Sequence, residues 1–164
     1  MQQEIIYIGL GSNLGDSRNL IREAMHRLEH EVDGPVFKSS QWRSKPIDCP
    51  EGSADFVNAV VGFEALADQD PFKLLRHLQA LEIEFGRPAI HARNSPRCLD
   101  LDIICFGARV INSMDLTIPH PGAKDRAFVL LPLQEIAPDL VFPDSGLSVN
   151  ELAAMVSSQG MEKL

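Results

Sequence analysis

Two aspartates separated by one residue interrupt an otherwise apolar segment, Leu99–Ile103, and restrict how that segment can fold. Successive side chains of a β-strand point to opposite faces, so Asp100 and Asp102 share one face of a strand. Carboxylates this close repel each other unless one is protonated or a cation lies nearby. Mg²⁺ suits such a pair because it takes one or two protein carboxylates and fills its shell with water and phosphate oxygens. The segment therefore predicts metal-dependent phosphate chemistry at the edge of a sheet, although such pairs also occur on solvated strands.

The charge distribution favours a small polyanionic ligand over nucleic acid. The formal net charge is −8, whereas a general nucleic-acid binder needs an excess of basic residues. Basic side chains nevertheless cluster from Arg87 to Arg97, immediately before the acidic pair. Arg97 adds a planar donor fork that suits phosphate oxygens, and the local positive charge attracts anions.

Length and composition predict one domain over residues 1–164 of the chain. The three cysteines form no C-x-x-C pair and indicate reduced thiols, hence a cytoplasmic location. No apolar stretch approaches the roughly 20 residues of a membrane span, so we expect no membrane partner.

Hydrophobic periodicity predicts the order β-α-β-β-α-β. The predicted strands are Glu4–Leu10, Val36–Arg43, Phe56–Glu64 and Leu99–Phe106. This order is typical of the split βαβ pattern of α+β ferredoxin-like domains, with a four-stranded antiparallel sheet, helices on one face and the opposite face free for a ligand. Extra C-terminal helices are predicted over Ala127–Ile136, capped by Asp125, and from Ser148 onward. The glycines from Gly9 to Gly15 are interpreted as a turn after the first strand, which matches neither a dinucleotide-binding nor a P-loop pattern.

Six segments together resemble the hydroxymethyldihydropterin pyrophosphokinase family. These segments are Gly11–Gly15, Phe56–Ala59, Glu82–Arg87, Arg97–Ile103, Ile118–Pro121 and Arg126–Leu133. Members of this folate-pathway family move the pyrophosphoryl group of ATP onto the hydroxymethyl group of a reduced pterin and release AMP. The positions Ala89, Asn94 and Pro121 differ from the residues that some members carry.

The resemblance implies a role for specific side chains. It implies that Asp100 and Asp102 hold two Mg²⁺ ions and that Arg87 and Arg97 contact the phosphates during catalysis. The ATP-binding residues implied are Gln79, Glu82, Arg97, Ile103, Thr117, His120 and Arg126. The pterin-binding residues implied are Ser44, Ile47, Phe56, Asn58, Asp100 and Phe128. ATP and the reduced pterin are then the only expected partners, and the protein is expected to be a monomer.

Two alternatives remain open from the residues alone. A two-metal phosphodiesterase or nuclease would be expected to offer more acids or a histidine cluster near Asp100. A ferredoxin-like regulatory domain that only binds a small ligand would not need paired acids beside arginines.

Overall fold

The computed structural model of the chain describes residues 3–13, 16–45, 54–86 and 99–164. Its strands are β1 (Ile5–Ser12), β2 (Val36–Lys38), β3 (Trp42–Ser44), β4 (Phe56–Glu64), β5 (Asp100–Phe106), β6 (Ile111–Asn112), β7 (Thr117–Ile118) and β8 (Met161–Lys163). Its helices are α1 (Ser17–His30), α2 (Pro71–Glu84), α3 (Ala127–Ile136) and α4 (Val149–Met155), with a short 3-10 helix at Ala123–Asp125. Within the described ranges, no helix has the length and apolarity that crossing a membrane requires.

β1 lies between β4 and β5 in an antiparallel sheet. The sheet has six strands in the order β5-β1-β4-β3-β8, and β2 also pairs with β4. The last strand of the β-α-β-β-α-β unit thus lies beside the first, which confirms the predicted ferredoxin-like α+β fold. The sheet is wider than the four strands predicted, because β8 extends its edge beyond β3.

The second predicted strand, Val36–Arg43, is divided into β2 and β3, which both pair with β4. At the break, the Ser39 hydroxyl accepts a hydrogen bond from the Val60 amide at 2.9 Å. A side chain thus satisfies a buried backbone donor where the ladder is interrupted.

Local capping signals account for where three helices begin. Asp16 caps α1, Asp70 accepts from the Phe72 amide at 2.9 Å, and Ser148 forms a reciprocal capping box at α4. The prediction that Asp125 caps α3 is wrong. The residue before α3 is Arg126, and no side chain caps that end.

The two faces of the sheet pack against different helices. The face that carries Ile6, Ile8 and Val61 packs on α1 and α2 in one apolar core. The prediction that the opposite face is free is wrong for about half of it, because α3 and α4 cover Tyr7, Val60 and Ile104. These apolar side chains would otherwise be exposed to water, and the burial of apolar surface drives the helices onto them. A ligand can reach this face only beyond these covered apolar side chains, where the sheet carries polar residues.

Candidate active site

The pairing of three strands places the acidic pair and Asn58 on one patch of the sheet. Gly11 of β1 pairs with Asp100 of β5 on one side and with Asn58 of β4 on the other. One row along, Gly9 pairs with Asp102. Directly paired residues point to the same face, so both aspartates and Asn58 lie on the face opposite to α1 and α2.

Two glycines of β1 form the floor of this patch. The prediction that the first strand ends at Leu10 in a glycine turn is wrong, since β1 continues to Ser12. A Cβ atom added at Gly11 would lie 3.0 Å from Asn58 Oδ1, and one at Gly9 would lie 3.3 Å from Ile104 Cδ1. Larger residues would therefore press on these neighbours, whereas the two glycines stay partly exposed and keep the backbone of β1 accessible from the cleft. The sequence signal for this floor is the pair Gly9 and Gly11, because residues two apart in a strand lie on the same face.

An open cleft lies above the glycine floor. α3 supplies its opposite wall. The predicted site residues that line it are Asn58, Asp100, Asp102, His120, Arg126 and Phe128. The structure thus brings together six side chains that lie far apart in sequence.

Asn58 is held in a fixed orientation. It is buried, and its Nδ2 donates to the hydroxyl of Ser44 at 3.0 Å, a side chain that is also buried. This bond leaves Asn58 Oδ1 above Gly11. Phe56, at the start of β4, pairs with Ser44 and lies on the same face by alternation.

His120 lies beside the acidic pair, and its backbone amide donates to the carbonyl of Ile104 in β5 at 2.9 Å. Its Nδ1 accepts from the Gly122 amide at 3.2 Å, which assigns the ring proton to Nε2. Nε2 lies 3.9 Å from Asp102 Oδ2. Burial, reinforced by the positive charge of Arg126, lowers the pKa of His120, although Asp100 acts in the opposite direction. The neutral ring can therefore donate one hydrogen bond into the cleft.

Arg126 and Phe128 form the α3 side of the cleft. The guanidinium carbon of Arg126 lies 5.6 Å from the centre of the Phe128 ring. This position leaves the Arg126 donors available to an anion and keeps the ring close to the cleft.

A cluster around Glu135 joins α3 to β3, and the sequence did not point to it. The Glu135 carboxylate accepts from Trp42 Nε1 at 2.7 Å and from the Ser40 hydroxyl at 2.9 Å, and it pairs with Lys163 at 3.2 Å. Burial opposes ionisation, but these donors together hold the pKa of Glu135 below its ordinary value. Because Trp42 is two residues from Ser44, the cluster positions the strand that carries the Asn58 partner.

Four predicted ATP-binding residues lie away from the cleft lining. Glu82 of α2 is buried and accepts from the Leu101 amide at 2.8 Å, at the outer edge of β5. Gln79 is exposed on the same helix, and Thr117 lies in β7, which packs against β5. Ile103 points into the core shared with α1 and α2. A binding role for these four residues stays a prediction, as it does for Arg87, Arg97 and Ile47, which lie outside the described residues.

Asp100 and Asp102 bring carboxylate oxygens to the cleft, which are atoms that could hold a metal ion. Asp102 has a side chain that is 46% exposed, so a solvated cation can approach it. Across the described ranges, no group of three or more histidine, cysteine or acidic side chains is placed to hold a metal ion. A pair of carboxylates is a suitable site for Mg²⁺, because this ion usually takes one or two protein carboxylates. Water and phosphate oxygens occupy its remaining coordination positions.

Comparisons with known proteins agree with this geometry. The model of the family described as 7,8-dihydro-6-hydroxymethylpterin-pyrophosphokinase (HPPK) matches residues 7–138. The chain is 40% identical over 159 residues to the 2-amino-4-hydroxy-6-hydroxymethyldihydropteridine pyrophosphokinase of Haemophilus influenzae, covering 96% of each protein. It is 39% identical to the protein of the same name from Pseudomonas aeruginosa, covering 97% of this chain and 96% of that one.

Other relatives are longer. The folic acid synthesis protein fol1 of Pneumocystis carinii is 40% identical over 91% of this chain, but the chain spans only 20% of that protein. A crystal structure of Plasmodium falciparum HPPK-DHPS with pteroate has a TM-score of 0.72 at 16% identity, over 94% of this chain and 42% of that one. The likeness to the Plasmodium falciparum structure supports the fold alone, whereas the sequence matches show the family. The chain therefore belongs to the 7,8-dihydro-6-hydroxymethylpterin-pyrophosphokinase family, as its motifs predicted.

Proposed function

We propose that this protein transfers the diphosphoryl group of ATP to the hydroxymethyl group of 6-hydroxymethyl-7,8-dihydropterin, in folate biosynthesis. The observation that carries the proposal is the pairing of Gly11 with Asp100 on one side and with Asn58 on the other. This pairing places a carboxylate and an oriented amide on either side of a glycine that lines the cleft. Family membership supports the same reaction.

In this proposal Asp100 and Asp102 hold two Mg²⁺ ions that neutralise the phosphates of ATP. Both carboxylates project from one face of β5, and their Cα atoms are about 7 Å apart by strand geometry. Gly9 and Gly11 are partly exposed and line the cleft beside them, so phosphate oxygens can approach the backbone there. When bound, the metal ions would lower the cost of the negative charge that develops on the transferred group.

The pterin is recognised by stacking and by one oriented amide. Phe128 faces the cleft from α3, and Phe56 lies one row beyond Asn58 on β4. Two aromatic side chains give a flat heterocycle a large apolar contact area. Asn58 Oδ1, held over Gly11 by the Ser44 bond, is the acceptor for the donor groups at the pterin edge.

His120 and Arg126 position the nucleotide phosphates beside the aspartates. The Nε2 proton of His120 and the guanidinium of Arg126 are donors that line the same cleft. We place Arg87 and Arg97 with them as catalytic contacts to the phosphates. The pterin hydroxyl oxygen forms the new bond to the β-phosphorus, the bond from that phosphorus to the bridging oxygen of AMP breaks, and the hydroxyl proton passes to solvent. Such a transfer depends on positioning and charge stabilisation more than on covalent help from the protein.

The proposal is tested by incubating the full chain with ATP, Mg²⁺ and 6-hydroxymethyl-7,8-dihydropterin. We expect AMP and pterin diphosphate in equal amounts, and loss of both products in excess chelator. Phosphodiester cleavage without pterin transfer would support the phosphodiesterase alternative. Ligand binding without turnover would support a regulatory domain.

We also propose that residues 1–164 form a single pyrophosphokinase domain that acts as a monomer. Both helical layers pack on the same sheet, which supports one folding unit. Light scattering at assay concentration tests the monomer, and a mass of twice the 18.1 kDa chain would overturn it. The cytoplasmic location stays a prediction.

A further inference from the structure

Two histidines on α1 lie together on the surface, away from the active site. His26 and His30 are four residues apart, both are exposed, and their ring centres are 4.3 Å apart with the planes near perpendicular. Their Nε2 atoms form a hydrogen bond of 3.0 Å, in which one ring donates its Nε2 proton and the other ring accepts it. α1 packs on the face of the sheet opposite to Asp100 and Asp102, so this pair has no part in the proposed reaction.

When a metal ion displaces the shared Nε2 proton, two ring nitrogens at this spacing can act as neighbouring ligands on that ion. A metal about 2.05 Å from each imidazole nitrogen, with the nitrogens 3.0 Å apart, subtends an angle of about 94°. That angle corresponds to adjacent positions in octahedral or square-planar coordination, the geometries typical of Ni²⁺ and Cu²⁺. Histidines at i and i+4 on a helix face are also the spacing by which zinc enzymes hold their metal.

We propose that His26 and His30 form a two-imidazole chelate for a borderline divalent cation such as Cu²⁺ or Ni²⁺. Imidazole nitrogen prefers these ions, whereas Mg²⁺ prefers carboxylate and phosphate oxygen, so the chelate and the acidic pair select different metals. No third histidine, cysteine or acidic side chain of the described residues joins the pair, so water or an external ligand completes the coordination. The net charge of −8 favours the approach of a cation.

The chain supplies a matched control for a surface histidine. His77 is also exposed, but its neighbour is the carboxylate of Glu31 and not a second imidazole. Replacing His77 removes one imidazole and leaves the chelate intact, whereas replacing His30 leaves His26 as a single ligand.

Electron paramagnetic resonance with Cu²⁺-nitrilotriacetate tests the chelate, because that complex leaves two adjacent positions open. We expect the full chain to bind one equivalent with two equatorial imidazole nitrogens. The His30→Ala variant should bind at least about tenfold more weakly, because it loses the effective concentration of the second ligand. The His77→Ala variant should bind like the wild type, and pyrophosphokinase activity should be unchanged in both.

A rescue variant separates the chelate from a general loss of histidine. Arg22 is exposed on α1 four residues before His26, so Arg22→His in the His30→Ala background restores the i, i+4 spacing and should restore tight binding. Equal affinity of wild type and His30→Ala would overturn the proposal. It would also be overturned if the wild-type spectrum showed only one coordinated imidazole.

Discussion

The two faces of the sheet are built from the same three strands but have different tasks. On the face against α1 and α2, Ile8, Val61 and Ile103 belong to one apolar core and are almost fully buried. On the other face, the apolar surface ends where Asn58 and the two aspartates begin. The first face stabilises the fold through its apolar core. On the second face, the apolar part stabilises the fold and the polar part forms the candidate ligand site.

Glycines show how this division arises within one face. Under α3, the ring of Tyr7 occupies the space over Gly62, where an added Cβ would lie 2.6 Å from a ring carbon. At Gly9 and Gly11 an added Cβ would lie 3.3 Å from Ile104 and 3.0 Å from Asn58, but both glycines stay partly exposed and line the cleft. The same residue type thus permits dense packing in one half of the face and access to the backbone in the other. Variants of the two faces should therefore separate loss of activity from loss of stability.

The largest expected effect is on activity. Asp102→Asn keeps the shape of the side chain but removes the charge that we propose holds the metal, so kcat/KM should fall by at least about 10³-fold, near 4 kcal/mol. The free energy of unfolding should change by less than about 1 kcal/mol, because a half-exposed polar side chain contributes little. Steady-state kinetics and urea denaturation check the two parts. Activity near that of the wild type would rule out the metal assignment.

The next effect is on stability. Leu78 of α2 is fully buried, so Leu78→Ala should lower the free energy of unfolding by about 2–5 kcal/mol through lost contacts and a cavity. The folded variant should keep its kcat/KM. Ile83→Ala, at a site 51% exposed on the same helix, is the control and should change stability by about 0.5 kcal/mol or less. If Leu78→Ala lowers kcat/KM strongly while the free energy of unfolding changes little, the distinction between the two faces is wrong.

A smaller effect tests the glycine floor. In Gly11→Ala the new methyl group presses on Asn58 Oδ1 from 3.0 Å, so KM for the pterin should rise about tenfold, near 1.4 kcal/mol. KM for ATP should change less. Gly34→Ala, where nothing lies within 4 Å of the added atom, provides the control. An unchanged pterin KM would show that the ligand does not approach this strand.

The smallest effect concerns the Glu135 cluster. Glu135→Gln weakens the pairing with Trp42 and Lys163, so pterin KM should rise a few-fold with little change in kcat, and stability should fall by about 1 kcal/mol. Because the folded pKa is depressed, the charge contributes stability above the ordinary value of 4.5 and loses it as pH falls below that value.

Denaturation of the wild type and Glu135→Gln at several pH values measures this contribution. Their stabilities should converge in acid. Glu162→Gln removes a surface pair with Arg43 and is the control, with an expected change of less than about 1 kcal/mol. A difference between wild type and Glu135→Gln that persists in acid would contradict the charged role.

Sequence patterns predicted those parts of the site that depend on near neighbours. Asp100 with Asp102, and Phe56 with Asn58, share a face because strand alternation depends only on a separation of two residues. The positions of His120, Arg126 and Phe128 over the sheet followed from resemblance to a family, since no local pattern connects them to β5. The predicted Asp125 cap failed because a favourable residue near a helix start does not by itself determine the backbone there.

The sequence by itself determined the alternation of polar and apolar side chains, the main helix starts and the family. Tertiary structure decided which residues meet. Strand register placed Gly11 between Asp100 and Asn58, and α3 docking joined Glu135 to Trp42 across 93 residues. The physical reason is range: alternation and capping act over a few bonds, whereas register and docking are selected by burial across the whole sheet.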